Sequence, residues 1–464
     1  MYQIDGMPLL GYYSRAVSEG HFTTTNILYV NHIISDSLMV ARALKNSGAN
    51  IWIVSVPYGN EEGKHRKKII DGFKELGNTV VPRIDDPLNF DKIMRESVKN
   101  SVIRILEDSV RRNKKFMIVE DGGYVFPLLH DDPDLSQALE YCLGTVEHTS
   151  RGMMNYQYME TDQIPLTPRI IKKPAITIAT SLLKEKQEPP FIAQAVVDET
   201  SFLLRKQHDF LKYKTIMVLG YGRIGRALVD ILYSLDSNVI VVDPKVDMLE
   251  RCQKKYPDIK CSPSITKDLV QEANIIIGAT GLPSFGSRHL EFFIKNQNYL
   301  PDKKGEIILV SLSSKQIEFI DVMNFFDRKM NNLTDVLTNR EMFVQKKKIV
   351  DFGIEYYIYF SNGKRKKITI LADGYPVSFF PEYTDAAPNR AMDPIMTELY
   401  LASCFLQANY SQLENRLYEI SDLLRLDSVK GPWEDLIDEM RLVQKWIELN
   451  GIIKSKYLNK IGFL

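Results

Sequence analysis

The stretch KTIMVLGYGRIGRALVDILYSLDSNVIVVD, Lys214 to Asp243, decides the fold. It reads as an apolar strand, a Gly220-x-Gly222-x-x-Gly225 turn, a helix, and a second apolar strand ending on an acid. Each glycine has its own task in holding a dinucleotide. Gly220 permits the tight turn out of the strand, Gly222 lets backbone N–H groups approach a pyrophosphate, and Gly225 lets the helix pack close to the sheet. The helix opening at Arg223-Ile224 presents its partial positive charge to the phosphates. Asp243, eighteen residues after Gly225, can accept hydrogen bonds from both hydroxyls of an adenosine ribose and would repel a 2′-phosphate, so NAD is favoured over NADP. A glycine triplet alone is weak evidence; strand, helix, second strand and terminal acid together predict a Rossmann unit that holds NAD.

Outward from this unit the pattern keeps alternating. Ile27–Val30, Asn50–Val56, Thr79–Val81 and Phe116–Val119 read as strands, with helix-like stretches at Asp36–Asn46, His65–Leu76 and Met94–Glu107 between them. Such alternation builds a parallel sheet with helices on both faces, and ligands gather at the carboxyl ends of its strands. Asn31-His32 and Glu120-Asp121 fall there. The proline-punctuated stretch from Pro165 to Pro190 is expected to carry the chain between domains. Phe191–Phe210 is expected to be helical, Ala273–Gly281 a strand ending in Ala279-Thr280-Gly281, and Glu306–Ser311 another strand. Thr280 thereby becomes a cofactor candidate. The run Lys364-Arg365-Lys366-Lys367 follows Asn362-Gly363, a hairpin turn signal, and reads as a solvated hairpin arm. From Asp393 to Leu464 the spacing is helical, interrupted at Lys430-Gly431-Pro432.

With 464 residues the chain exceeds one hydrophobic core. The expected architecture is α/β with two doubly wound domains. Residues 1–190, completed by about 376–420, form a substrate-binding α/β domain; residues 191–375 form the Rossmann domain; residues 421–464 form a C-terminal helical segment. The 59 basic residues balance 59 acidic ones, which excludes a general electrostatic attraction to nucleic acid or membrane. Cys142, Cys252, Cys261 and Cys404 make no C-x-x-C pair, the seven histidines show no metal-ligand spacing, and no stretch has the length of a membrane span. A cytosolic protein without a metal is expected.

Five segments in order resemble the S-adenosylhomocysteine hydrolase family. Met117-Ile-Val-Glu-Asp-Gly-Gly123 is similar to its strand ending in Asp-Asp-Gly-Gly, and Gly144-Thr-Val-Glu-His-Thr-Ser-Arg-Gly152 to its Gly-Ile-Ser-Glu-Glu-Thr-Thr-Thr-Gly loop. Pro174-Ala-Ile-Thr-Ile leads to Lys184 at the family's interval, the glycine turn resembles Gly-Tyr-Gly-Asp-Val-Gly-Lys, and Leu371-Ala-Asp-Gly374 resembles Leu-Ala-Glu-Gly. The resemblance implies a homo-oligomer, dimer or tetramer, with tightly bound NAD. Its substrate would be a nucleoside thioether, processed by transient 3′-oxidation, elimination and water addition.

Residue by residue, the resemblance places His32 near the 5′ leaving group, Asp121 as a substrate-binding proton-transfer group, and Lys184 on the 3′-hydroxyl. It places Thr149 and Ser150 at the nicotinamide side of NAD. Other positions depart. His148 stands where the family has a ribose-gripping glutamate, and Glu188-Pro189 replaces an Asp-Asn pair. No Asn-x-Gly-His appears around Ser311-Leu-Ser-Ser-Lys315, Phe379–Asp385 lacks Gly-His-Pro, and the tail offers only Lys454–Tyr457. The departures keep open an NAD-holding regulatory relative without turnover. The residues alone also allow bland roles: a satisfied histidine at His32, an Asp-Gly turn at Asp121, a solvated face at Lys184.

Overall fold

The computed structural model describes residues 1–58, 64–84, 89–159, 167–295, 305–313, 315–330, 342–379, 385–423, 426 and 433–452. The chain divides into two compact units. One comprises Met1–Pro57, Glu61–Glu188 and Ala387–Leu464, and the other Tyr58–Asn60 and Pro189–Ala386.

In the first unit, β1 (Thr25–His32), β2 (Asn50–Val56), β3 (Gly77–Val80), β4 (Lys115–Glu120), β5 (Cys142–Glu147) and β6 (Ala175–Thr177) lie parallel in the order β3-β2-β1-β4-β5-β6. All eight residues of β1 are buried, as a central parallel strand covered on both faces requires. The order reverses between β1 and β4, so their carboxyl ends, at His32 and Glu120, form the crevice where such sheets bind ligands. The helix Asn389–Asn409 packs on β5 and is buried along nearly its whole length.

The second unit holds β7 (Thr215–Leu219), β8 (Asn238–Val242), β9 (Lys260–Ser262), β10 (Ile275–Gly278), β11 (Glu306–Ser311), β12 (Met342–Ile349), β13 (Gly353–Phe360) and β14 (Arg365–Leu371). Its order is β9-β8-β7-β10-β11-β14-β13-β12, with β13 and β12 antiparallel additions to a parallel set of six. Here the reversal lies between β7 and β10, where the glycine turn leaves the sheet.

Four sequence expectations need correction. The stretch from Pro165 to Pro190 is more than a connection, because Ala175–Thr177 is β6 of the first sheet. The C-terminal stretch is not helical throughout: Leu417–Glu419 is a strand parallel to β6, too short for a periodicity to announce. The strand expected over Ala273–Gly281 covers only Ile275–Gly278, since Gly281 turns the chain at φ 73°. The basic run is not a solvated arm either. The hairpin turn at Asn362-Gly363 is present, but β14 has strands on both sides and turns Lys366 inward, 3% exposed, with its Nζ on the Phe293 carbonyl. The interruption at Lys430-Gly431-Pro432 lies outside the described residues, as do Lys454–Tyr457.

Burial lowers the Lys366 ammonium from its ordinary 10.5 to about 8. Between these values the unfolded chain binds more protons than the folded one, so stability rises with pH in that window. Urea melts should show a gain of about 1–2 kcal/mol from pH 8 to pH 10.5, discounted for partial solvent screening. The gain should vanish in Lys366→Met protein.

Candidate active site

At the switch point of the first sheet, five side chains form one continuous polar chain. His32, ending β1, places Nε2 at 3.4 Å from Asp121 Oδ1, just beyond β4. The other oxygen of Asp121 meets His148 Nδ1 at 3.0 Å, just beyond β5. His148 Nε2 lies 3.4 Å from Lys184 Nζ, which donates to Glu188 Oε1 at 2.6 Å. His32, Asp121, His148 and Lys184 are all less than a tenth exposed. Three strand ends and one helical turn, distant in sequence, are thus wired together. Burial raises the Asp121 carboxyl, but the two facing histidines outweigh it and hold it well below the usual carboxylate range. Neither the turn role for Asp121 nor the solvated face for Lys184 fits this placement.

Two further acids, to which the sequence reading gave no role, build the floor. Glu120 accepts from the Tyr156 hydroxyl at 2.6 Å and from the N–H groups of Tyr124, Val125 and Phe126 at 2.7, 2.7 and 3.0 Å. Glu147 Oε1 takes the N–H groups of Gly122 and Thr149 and the Thr149 hydroxyl. Its Oε2 meets no hydrogen-bond partner among the described residues. Burial, then the neighbouring Glu120 and Asp121 carboxylates, push Glu147 well above the usual range. These acids fix the Gly122-Gly123 turn and leave Asp121 to the histidines. Thr149 also caps the helix Ser150–Gln157 by accepting from the Gly152 N–H at 3.1 Å, so its hydroxyl serves local structure. Ser150 opens that helix.

Lys184 sits on a π-helical turn, Leu183–Gln187, running into the helix Glu188–Lys206. Pro189 and Pro190 lack the N–H groups that would bond back into an ordinary α-helical turn, which explains the wider winding.

In the second unit the three glycines separate by what constrains them. A Cβ on Gly220, whose φ is +97°, would stand 2.9 Å from the Ala279 carbonyl oxygen, and one on Gly225 only 2.1 Å from the Gly220 oxygen. A Cβ on Gly222 would meet nothing within 4 Å. The fold therefore requires Gly220 and Gly225, whereas no described residue requires Gly222, which leaves its backbone open to approach. Gly222 is the N-cap of the helix Arg223–Ser234 and makes no side-chain cap, and the N–H groups of a first helical turn suit phosphate oxygens. Asp243 braces the turn, accepting from Tyr221 N–H at 2.7 Å through Oδ2 and from Lys245 N–H at 2.8 Å through Oδ1. Each oxygen keeps a lone pair for a ribose hydroxyl.

Thr280 is less open than its position suggested. Its N–H and hydroxyl both donate to Glu318, at 2.7 and 2.9 Å, and the Gly281 N–H, Ser284 hydroxyl and Ser313 hydroxyl converge on the same 1%-exposed carboxylate. Glu318 thus sets the loop after β10 at the second switch point. No local pattern marks it in the sequence.

The family model described as TrkA-N domain matches residues 216–276, the core of the nucleotide-binding sheet. An adenosylhomocysteinase of Saccharolobus solfataricus is 22% identical over 85% of this chain and 80% of its own length, and one of Thermoplasma volcanium is 22% identical over 98% and 95%. The chain is a divergent relative of the adenosylhomocysteinases. An S-inosyl-L-homocysteine hydrolase of Methanopyrus kandleri is 27% identical over 38% of each chain. Among solved structures, an L-alanine dehydrogenase covers 91% of this chain and all of its own at 13% identity and a TM-score of 0.34. A dipicolinate synthase chain of Bacillus halodurans covers 67% of this chain and 89% of its own at 13% identity and a TM-score of 0.36.

Within this divergent relative, His148 is the departure with the largest geometric consequence. A glutamate there would face Asp121 as a second acid; the histidine instead joins Asp121 to Lys184. The other departures, at Ser311–Lys315 and Phe379–Asp385, include Ser314 and residues 380–384, which lie outside the described residues.

Proposed function

We propose that this protein is an NAD-dependent hydrolase of a nucleoside thioether, acting by transient oxidation of the ribose 3′-carbon. The observation that carries the reading is the buried chain His32–Asp121–His148–Lys184–Glu188 at a sheet switch point. When bound, NAD supplies a reversible hydride acceptor, and Gly222, the helix N–H groups after it, and Asp243 would hold it. The side chains of the first unit do the rest. Lys184, with its charge balanced by Glu188, holds the 3′-oxygen and takes up or returns its proton through His148. Asp121, the acid that touches both histidines, is the base for the C4′ proton once the 3′ ketone acidifies it. His32 returns a proton to the departing 5′ sulfur and later helps a water add. The pair Asp121–His148 also gives the proton from Lys184 a route that does not cross bulk water.

Purified protein, denatured and analysed for released small molecules by mass spectrometry, tests this. Stoichiometric NAD accompanied by a nucleoside or a ribosyl thioether is the expected result. Protein that contains no NAD and takes none up when supplied with it would overturn the proposal. NAD held without any nucleoside turnover would favour a regulatory relative.

A further inference from the structure

The π-helical turn that carries Lys184 is closed on its C-terminal side by the Glu188 N–H on the Leu183 carbonyl, while Pro189 and Pro190 remove two further N–H groups. It is held from the other side by two acids far away in sequence. Ser181, 3% exposed, donates its hydroxyl to Glu398 Oε2 at 2.7 Å and accepts the Lys184 N–H at 3.2 Å. The Leu183 N–H donates to Glu439 Oε1 at 3.3 Å. Glu398, fully buried in the middle of the helix Asn389–Asn409, and Glu439, first residue of the helix Glu439–Asn450, thus hold neighbouring groups of the same turn. Burial, and then the nearby Glu439 carboxyl, push Glu398 well above the usual carboxylate range. Neither acid is a member of the polar chain that runs from His32 to Glu188.

We infer that Glu398 and Glu439 are positioning residues for Lys184: through Ser181 and the Leu183 N–H they fix where the Lys184 ammonium stands relative to Glu188 and His148. The inference rests on the proposed role of Lys184 in cofactor reduction. The contacts of the two acids go to Ser181 and to the Leu183 backbone, so they fix the turn, while the ion pair of the ammonium is made with Glu188.

Glu398→Leu removes the bond from Ser181, whereas Glu398→Gln keeps an oxygen to accept it. In NAD-loaded full-length protein, Glu398→Leu should slow single-turnover cofactor reduction by on the order of 30-fold, with half-saturating nucleoside changed less than about 3-fold. Glu398→Gln should stay within about 3-fold of wild type in both. An independent readout needs no turnover: acetylation of Lys184 by an N-hydroxysuccinimide ester, followed by peptide mass spectrometry. It should be slow in wild type and Glu398→Gln, and faster by about 5-fold or more in Glu398→Leu, where the ammonium is released from Glu188. If Glu398→Leu does not fold, Ser181→Ala cuts the same link and should move both readouts in the same direction. Equal Lys184 acetylation in wild type and the link-cutting variant overturns the inference, as does a Glu398→Gln protein as impaired as Glu398→Leu. If wild type reduces no cofactor at all, the proposed function fails, while the acetylation contrast still decides the positioning role.

Discussion

Lys184→Met protein should keep its NAD and lose cofactor reduction by about 10³-fold or more. The ammonium is 2.6 Å from Glu188 and 3.4 Å from His148, and in the proposed reaction it both holds the 3′-oxygen and passes its proton toward Asp121. Methionine matches its length and fills the same buried space without charge or proton. The change should leave the second unit, and thus the cofactor site, untouched. Single-turnover absorbance near 340 nm reads the reduced cofactor, and NAD content after gel filtration reads binding. Reduction within tenfold of wild type would remove Lys184 from the chemistry. A loss of NAD along with activity would show that the substitution damaged more than the proton-handling chain.

Gly222→Val should be the mirror image, with an intact fold and an empty cofactor site. A Cβ there meets nothing within 4 Å, and the backbone, at φ −71° and ψ −161°, is open to any L residue. The melting temperature should therefore move by only a few degrees, about 1 kcal/mol, the size of a changed helix N-cap. The branched side chain would occupy the space a pyrophosphate needs, so NAD affinity should fall by about 100-fold or more. Gly225→Ala makes the contrast: its Cβ would lie 2.1 Å from the Gly220 oxygen, and it should lose stability first. Calorimetry and NAD titration on the two variants separate these effects. Full NAD occupancy in Gly222→Val protein would sink the site assignment.

What the sequence discloses about this protein depends on how far each interaction reaches. The nucleotide-binding sheet was legible because its signal is local: the turn, the helix and the acid at Asp243 lie within one stretch of thirty residues. His32, Asp121, His148, Lys184 and Glu188 could be singled out one by one through motif resemblance. Their union into one hydrogen-bonded chain could not, since it depends on β1, β4 and β5 lying side by side. Glu120 and Glu147 entered the sequence reading only as members of resembling segments, without a role of their own, and Glu318 and Glu398 left no trace in it. A carboxylate 217 positions from its serine partner has no spacing rule to reveal it. Thr149 and Thr280 illustrate the converse, because both were singled out for the cofactor and both have hydroxyls engaged by buried glutamates. Lys366 was misread for a simpler reason. A run of four basic residues looks solvated, but on a strand with neighbours on both sides alternate side chains must turn into the core.

The central claim is that the polar chain from His32 to Glu188 oxidises a ribose with a resident NAD. Stopped-flow absorbance near 340 nm tests it most directly, on NAD-loaded wild-type protein mixed with adenosine, inosine, S-adenosylhomocysteine and S-inosylhomocysteine in turn. The account predicts a transient rise with at least one of them, followed by decay as the hydride returns, and no rise in Lys184→Met protein under the same conditions. A flat trace with every nucleoside, from protein shown to carry stoichiometric NAD, would contradict it.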